Sequence, residues 1–155
     1  MLLVDVREVL QGPVEVAAAL PPDDGVFEGL DLQLVGPLAV DGRLQATGDG
    51  EFFWRGNLRG VVRGECRRCL AEVTAPVEAE VEALFSADPE ALDDPSVYPL
   101  APHAARIDVG QAVREELVLA APAWMLCRDD CAGLCPRCGS DLNAGPCGCT
   151  PAQQP

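Results

Sequence analysis

The chain has 155 residues, and 48% of them are hydrophobic, enough for one domain with a real core and too many for general disorder. Twenty-five acidic residues against eleven basic ones give a formal net charge of −14, which argues against a general binder of phosphate backbones. No apolar run approaches the roughly 20 residues of a membrane span. The N-terminal stretch, broken by Asp5, Arg7 and Glu8, is not expected to be a signal peptide.

In chain order, Met1 to Val6 reads as an edge strand, the rest of 1–31 as mixed, and Pro21-Pro22-Asp23-Asp24-Gly25 as a break. From Leu32 the pattern turns to strands. Leu38 and Val40 precede Asp41-Gly42, and Leu44 and Ala46 follow, which predicts a two-residue hairpin turn at Asp-Gly. Gly48-Asp49-Gly50 makes the next turn.

The best-specified element surrounds Cys66-Arg67-Arg68-Cys69. With those four residues as the loop, Val62 faces Val73, Leu58 faces Val77 and Trp54 faces Val81. Gly60 faces Ala75 and Gly56 faces Ala79, so one face is wholly apolar or small. On the other face Arg63 meets Glu72, Arg55 meets Glu80 and Asn57 meets Glu78. Slipping the register by one residue would turn every side chain to the wrong face.

Residues 86–106 are Pro-rich and acidic and read as a loop. Asp108 then serves as a helix N-cap, with Gln111 reaching back to it. Val109, Val113 and Leu117 form one helical stripe, and Pro122 ends the helix. The expected architecture is α+β: an antiparallel β-sheet or partly open barrel with one packing helix and a C-terminal Cys-rich zinc knuckle. Residues 1–126 form the β-rich core domain, with its helix near 108–121, and 127–155 the Cys-rich tail.

Cys66, Cys69, Cys127, Cys131, Cys135, Cys138, Cys147 and Cys149 carry the chemistry. Without a secretory signal, such pairs read as metal ligands or redox groups rather than disulfides. Zinc takes four soft donors in a tetrahedron, and C-x-x-C around a tight turn places two sulfurs on one ion. Cys135-Pro136-Arg137-Cys138-Gly139 is such a knuckle, and Cys147-Gly148-Cys149 can close it. Rival readings are one zinc site with four free or redox-active thiols, and an iron or iron–sulfur centre.

The eight sulfurs divide in two ways. Cys127, Cys131, Cys135 and Cys138 can share one ion, leaving Cys147 and Cys149 to join Cys66 and Cys69. Alternatively, Cys66, Cys69, Cys127 and Cys131 form site 1, and Cys135, Cys138, Cys147 and Cys149 form site 2. Loop-closure entropy barely separates the two. The second is preferred, because a helix packed on the hairpin delivers Cys127 near the loop and leaves the terminal knuckle separable. Metal binding should then order residues 127–149, while the strands survive without it.

No other constellation carries catalysis. His103 is expected to be an exposed loop residue rather than a ligand or base. Asp129-Asp130 reads as a solvated turn, and Trp124 and Met125 as core or as cover for site 1. There is no P-loop, G-x-S-x-G or G-x-G-x-x-G.

Taken in order, several blocks resemble a known family. They are Gly64-Glu65-Cys66-Arg67-Arg68-Cys69-Leu70, then Glu82-Ala83-Leu84-Phe85, then Ile107-Asp108-Val109 and the helix through Arg114-Glu115-Glu116-Leu117 to Pro122. The last runs from Cys127 and Cys131 through Leu134-Cys135-Pro136-Arg137-Cys138-Gly139 to Asp141-Leu142-Asn143. They resemble the bacterial YceD family, the large ribosomal RNA subunit accumulation proteins, over roughly residues 30–149. The resemblance implies a cytoplasmic role in accumulation of 23S rRNA and in large-subunit assembly. It also implies a gene that commonly neighbours that of a zinc-binding large-subunit ribosomal protein. Some members lack the terminal cysteine cluster.

The resulting expectation is a non-enzymatic ribosome-biogenesis factor stabilised by two zinc ions. Neither a membrane nor a small-molecule substrate is expected. Its partner is a large-subunit precursor, with a basic ribosomal protein favoured over direct contact with 23S rRNA. Residues 55–68 hold five Arg and one Glu. The hairpin register leaves Arg67 and Arg68 free at the loop tip, with Arg59, facing Pro76, as a third candidate contact. Replacing Arg67 and Arg68 by Glu is therefore expected to cost little stability. The alternatives are a thiol–disulfide oxidoreductase using Cys66 and Cys69, or a zinc-stabilised scaffold of unrelated role.

Overall fold

A computed structural model describes residues 2–149. Its strands are β1 (Leu3–Asp5), β2 (Val14–Leu20), β3 (Gln33–Leu34), β4 (Leu38–Gly48), β5 (Glu51–Glu65), β6 (Glu72–Ser86), β7 (Val97–Pro99) and β8 (Arg106–Asp108). Its helices are α1 (Val6–Gln11) and α2 (Gly110–Ala120). The main sheet runs β2-β4-β5-β6-β7, with β3 beside β5, and is antiparallel except where β7 lies parallel to β6. β1 and β8 pair separately. This is the expected α+β class, mostly sheet with one main helix.

Period-2 alternation along β5 and β6 turns Trp54, Leu58, Val62, Val77, Val81 and Phe85 inward. Helix α2 packs on β6 and buries Val113 and Leu117 of the expected stripe, continuous with Val109 and Ile107. Burying one such side chain stabilises by about 1.5–3 kcal/mol relative to leaving it exposed.

The β5–β6 register is displaced by two residues from the sequence expectation. Glu65 pairs with Glu72 and Val62 with Ala75, while Trp54 pairs with Ala83. The connection is not a four-residue loop. Leu70 N–H donates to Cys66 O at 2.9 Å, and Cys66 N–H donates to Ala71 O at 2.8 Å, so Leu70 and Ala71 belong to the turn. An even displacement keeps every side chain on its face, so the apolar side survives. Only the polar partners change. Arg63 lies opposite Thr74 and reaches Glu72 diagonally, while Arg55 lies opposite Glu82 and also engages Glu80.

Asp41-Gly42 does not turn. It lies inside β4, opposite Asn57 and Gly56, and the hairpin closes instead at Asp49-Gly50. Gly42 is there for space. A Cβ on it would lie 2.6 Å from Gly56 Cα and 2.7 Å from Trp54 Nε1. The two glycines let the indole of Trp54, fully buried, lie flat against the strands.

Residues 86–106 are not one loop. They contain β7, whose Tyr98 ring packs 5.2 Å from that of Phe85. The N-cap is Val109 rather than Asp108, which ends β8; Asp108 still receives the Gly110 N–H at 2.8 Å, but Gln111 bonds Glu115 instead of reaching back. The mixed N-terminal region resolves into β1, α1 capped by Asp5, and β2.

The tight approach at Gly42 predicts that Gly42→Ala destabilises the fold by about 1–3 kcal/mol. Both closest obstacles, Gly56 Cα and Arg55 O, are backbone and cannot rotate away. Urea unfolding should show a lower midpoint; an unchanged midpoint would mean that the strands do not approach this closely.

Candidate metal centres

Site 1 is built from two places far apart in sequence. Cys66 and Cys69 sit in the β5–β6 turn. After α2, Ala121 is extended and Pro122 directs the chain across the hairpin. There Arg67 N–H donates to Met125 O at 2.9 Å, and Met125 Sδ occupies the space that a Cβ on Gly64 would take. This brings Cys127 and Cys131 to the turn.

The Sγ atoms of Cys66, Cys69, Cys127 and Cys131 all lie within 4.8 Å of one another. Cys66 and Cys131 are 3.8 Å apart, Cys69 and Cys127 3.6 Å. Those separations far exceed the roughly 2.05 Å of a disulfide. They match the edge of about 3.8 Å of a sulfur tetrahedron with zinc–sulfur bonds of about 2.3 Å. The donor set therefore fits a four-coordinate thiophilic ion. Among the described residues all eight cysteines are free of disulfides.

The surroundings favour thiolate. Backbone N–H groups of Cys127, Cys69 and Arg68 hold the Cys66 thiol down to about 6, against its burial. The Cys131 thiol is lowered first by Asn143, whose Nδ2 donates to its sulfur at 3.4 Å. Cys127 is pushed up to about 12, chiefly by its hydrogen bond with Cys131 and by burial. Without an ion, four thiols so close cannot all ionise; a dication removes that restriction.

Site 2 gathers Cys135, Cys138, Cys147 and Cys149, their Sγ atoms likewise within 4.8 Å of one another. Hydrogen bonds from Ser140 and from Cys135 lower Cys138 to about 6. Both knuckles close with the same turn: Gly139 N–H donates to Cys135 O as Leu70 N–H does to Cys66 O. The residue after each C-x-x-C has a left-handed backbone, with φ 73° at Gly139 and 61° at Leu70. Glycine adopts this freely; leucine does so at a cost.

The sulfurs group as in the second of the two divisions, and hydrogen bonds tie the terminal knuckle to site 1. Leu134 N–H donates to Arg68 O, Leu142 N–H to Gly133 O, and Asn143 Oδ1 accepts from Ala132 N–H while its Nδ2 serves Cys131. Residues beyond Cys135 therefore complete the shell of site 1. Sequence reasoning passed over Asn143, whose only signal was its place after Asp141-Leu142.

The arginines depart from expectation. Arg68 is not free: its Nη1 donates to Asp129 O at 3.1 Å and Cys131 O at 3.0 Å, bracing the second half of site 1. Replacing it would therefore disturb the site rather than cost little. Arg59 faces Glu78, not Pro76, and pairs with Glu78 and Asp41. Arg67 stacks on the Trp124 ring, 4.6 Å from its centroid. Trp124 itself is 65% exposed, so it is neither core nor buried cover, whereas Met125 does pack beside the turn. His103 stands exposed in its loop and belongs to neither sulfur cluster.

Four protein sulfurs per ion leave no open position for substrate, which is the arrangement of structural zinc. A redox pair needs an accessible thiolate, and Cys66 is fully buried.

Two outcomes follow. Asn143→Ala should weaken metal binding at site 1 about 10–100-fold, with site 2 little changed, in competition against a chromophoric chelator. Acidification should release metal. Thiolates bind the ion and protons compete for them: the metal-free thiols held to about 6 at Cys66 and Cys138 favour loading at neutral pH, and because a bound dication keeps its sulfurs ionised, release comes below that value. Full retention at pH 4 would contradict this.

The sequence profile described as "Large ribosomal RNA subunit accumulation protein YceD" matches residues 54–155. Uncharacterized proteins of Mycobacterium tuberculosis and Mycobacterium bovis are 32% identical over 149 residues, 93% of this chain and 66% of theirs. One of Mycobacterium leprae is 27% identical over 123 residues, 76% of this chain and 56% of its own. The chain thus spans under two thirds of the length of these relatives. No solved structure matches.

Proposed function

The chain belongs to the YceD family of large ribosomal RNA subunit accumulation proteins, and we propose that it supports 23S rRNA accumulation and large-subunit assembly by binding rather than by catalysis. The observation that carries this reading is the match itself. It spans the β5–β6 hairpin, α2 and all eight cysteines, the parts that build both sulfur clusters. In this reading two zinc ions are structural and hold the hairpin turn and the C-terminal segment as one rigid surface.

Charge favours a basic ribosomal protein as the partner over rRNA itself. Arg7, Arg43, Arg55, Arg59, Arg63 and Arg128 each lie within 3.9 Å of a carboxylate. Arg68 and Arg114 donate to backbone carbonyls, and Arg67 covers an indole. Such exposed pairs stabilise by at most about 1 kcal/mol each, but they neutralise six of the eleven cations that phosphate would need. The formal charge of −14 remains for a cationic partner. No helix of the described residues is long and apolar enough to cross a membrane, and we place the protein in the cytoplasm, where ribosomes assemble.

Depletion of the protein should lower the ratio of 23S to 16S rRNA and the large-subunit peak in a sucrose gradient. Unchanged ratios and profiles would overturn the proposal. Direct RNA contact would instead give filter binding with a salt slope steeper than about −2, the signature of several phosphate contacts.

A further inference from the structure

Beside site 1 lies a groove of about 830 Å³ between the Cys66–Ala71 turn and the Pro122–Met125 segment. Of the eight cysteines only the buried Cys66 borders it, and the other seven sulfurs lie outside its lining. Its walls carry two of the chain's exposed large apolar side chains, Trp124 at 65% and Leu70 at 59%. Leu70 is held there at φ 61°, where the equivalent position of the second knuckle has glycine. A leucine is kept in that backbone region only against the clash of its Cβ with the backbone. Its side chain shields no core in return, and such outliers point to function.

The charges of the groove identify the occupant. Asp31, Glu65 and Glu72 line it, with Arg63 and Arg67. Arg63 is paired with Glu72 and Arg67 is laid over Trp124. Asp31 and Glu65 have no ion pair among the described residues. The groove thus offers two uncompensated carboxylates beside an exposed indole that already attracts a guanidinium.

We infer that this groove docks an extended peptide segment of a partner protein, one that alternates Arg or Lys with apolar residues. Its cations meet Asp31 and Glu65, and its apolar side chains pack on Trp124 and Leu70. The inference rests on the reading above that the partner is a basic protein, and it names the surface that partner uses. A single-stranded RNA could stack a base on Trp124, but its phosphates would lie against the same unpaired carboxylates.

The test uses the full, zinc-loaded chain and three fluorescent probes in anisotropy titrations. They are a 12-residue peptide alternating Arg and Leu, its counterpart with Glu for Arg, and a 12-nucleotide single-stranded RNA. The Arg–Leu peptide should bind, and the other two at least tenfold more weakly. Asp31→Lys with Glu65→Lys, and separately Trp124→Ala, should each weaken the Arg–Leu peptide at least tenfold with zinc content and circular dichroism unchanged. Asp93→Lys with Asp94→Lys, far along the chain from the groove, should leave it within twofold. Equal binding by the groove variants, an equal loss in the remote variant, or tighter RNA binding would overturn the inference. Co-purification from cells separates the two claims. If large-subunit precursors accompany the wild type and the groove variants alike, the groove fails and the function stands. If they accompany neither, the function fails and the peptide titrations decide the groove.

Discussion

Four sulfurs from two distant stretches converge on one point, and the arrangement of residues 127–149 depends on that convergence. Residues 127–149 contain no regular helix or strand among those described, only an isolated bridge between Leu134 and Asp141. Their small residues and prolines supply little apolar surface to offset the entropy of ordering. An ion held by four thiolates contributes on the order of 10–16 kcal/mol in small zinc peptides, comparable with the roughly 5–15 kcal/mol of a whole domain. The hairpin turn is thereby both the end of the sheet and the anchor of the tail. The second cluster returns the support through Asn143 and Leu134, which bond the first.

The sheet supplies the rigid base for this. β5 and β6 are each fifteen residues long and paired throughout, so the turn stands at the end of a ladder rather than on a mobile loop. Helix α2 lies across the inner face and stops at Ala120, one residue before the extended backbone that carries the chain to the turn. The packing that buries Val113 and Leu117 therefore also sets where Cys127 arrives. Core and metal site are linked by geometry, not merely adjacent.

The outer face of that ladder is electrically closed on itself. Arg55, Arg59 and Arg63 alternate along β5, and carboxylates of β4 and β6 answer them. Three of the five arginines that read as a basic island in one dimension are thus neutralised in three, while Arg67 and Arg68 at the turn meet an indole and backbone carbonyls. The unneutralised features lie elsewhere, in the acid surplus and at the turn, where Trp124 and Leu70 stand exposed.

Much was legible in one dimension. Period-2 alternation revealed the β5–β6 hairpin and its apolar face, the period of Val109, Val113 and Leu117 revealed α2, and cysteine spacing revealed two four-sulfur sets. These signals are local, or depend only on which residues a thiophilic ion accepts. What the sequence left open were properties of contact. Asp41-Gly42 has the chemistry of a turn, yet the same absence of a Cβ serves close packing, and only the indole of Trp54 against Gly42 and Gly56 decided between them. The register was misplaced by two because an even shift preserves both faces, so patterning cannot detect it; the backbone bond from Leu70 to Cys66 sets it. The roles of Arg68 and Asn143 lay wholly in tertiary structure. A guanidinium or an amide becomes a brace only when folding brings carbonyls and a sulfur within hydrogen-bond reach, and no spacing in the chain encodes that distance.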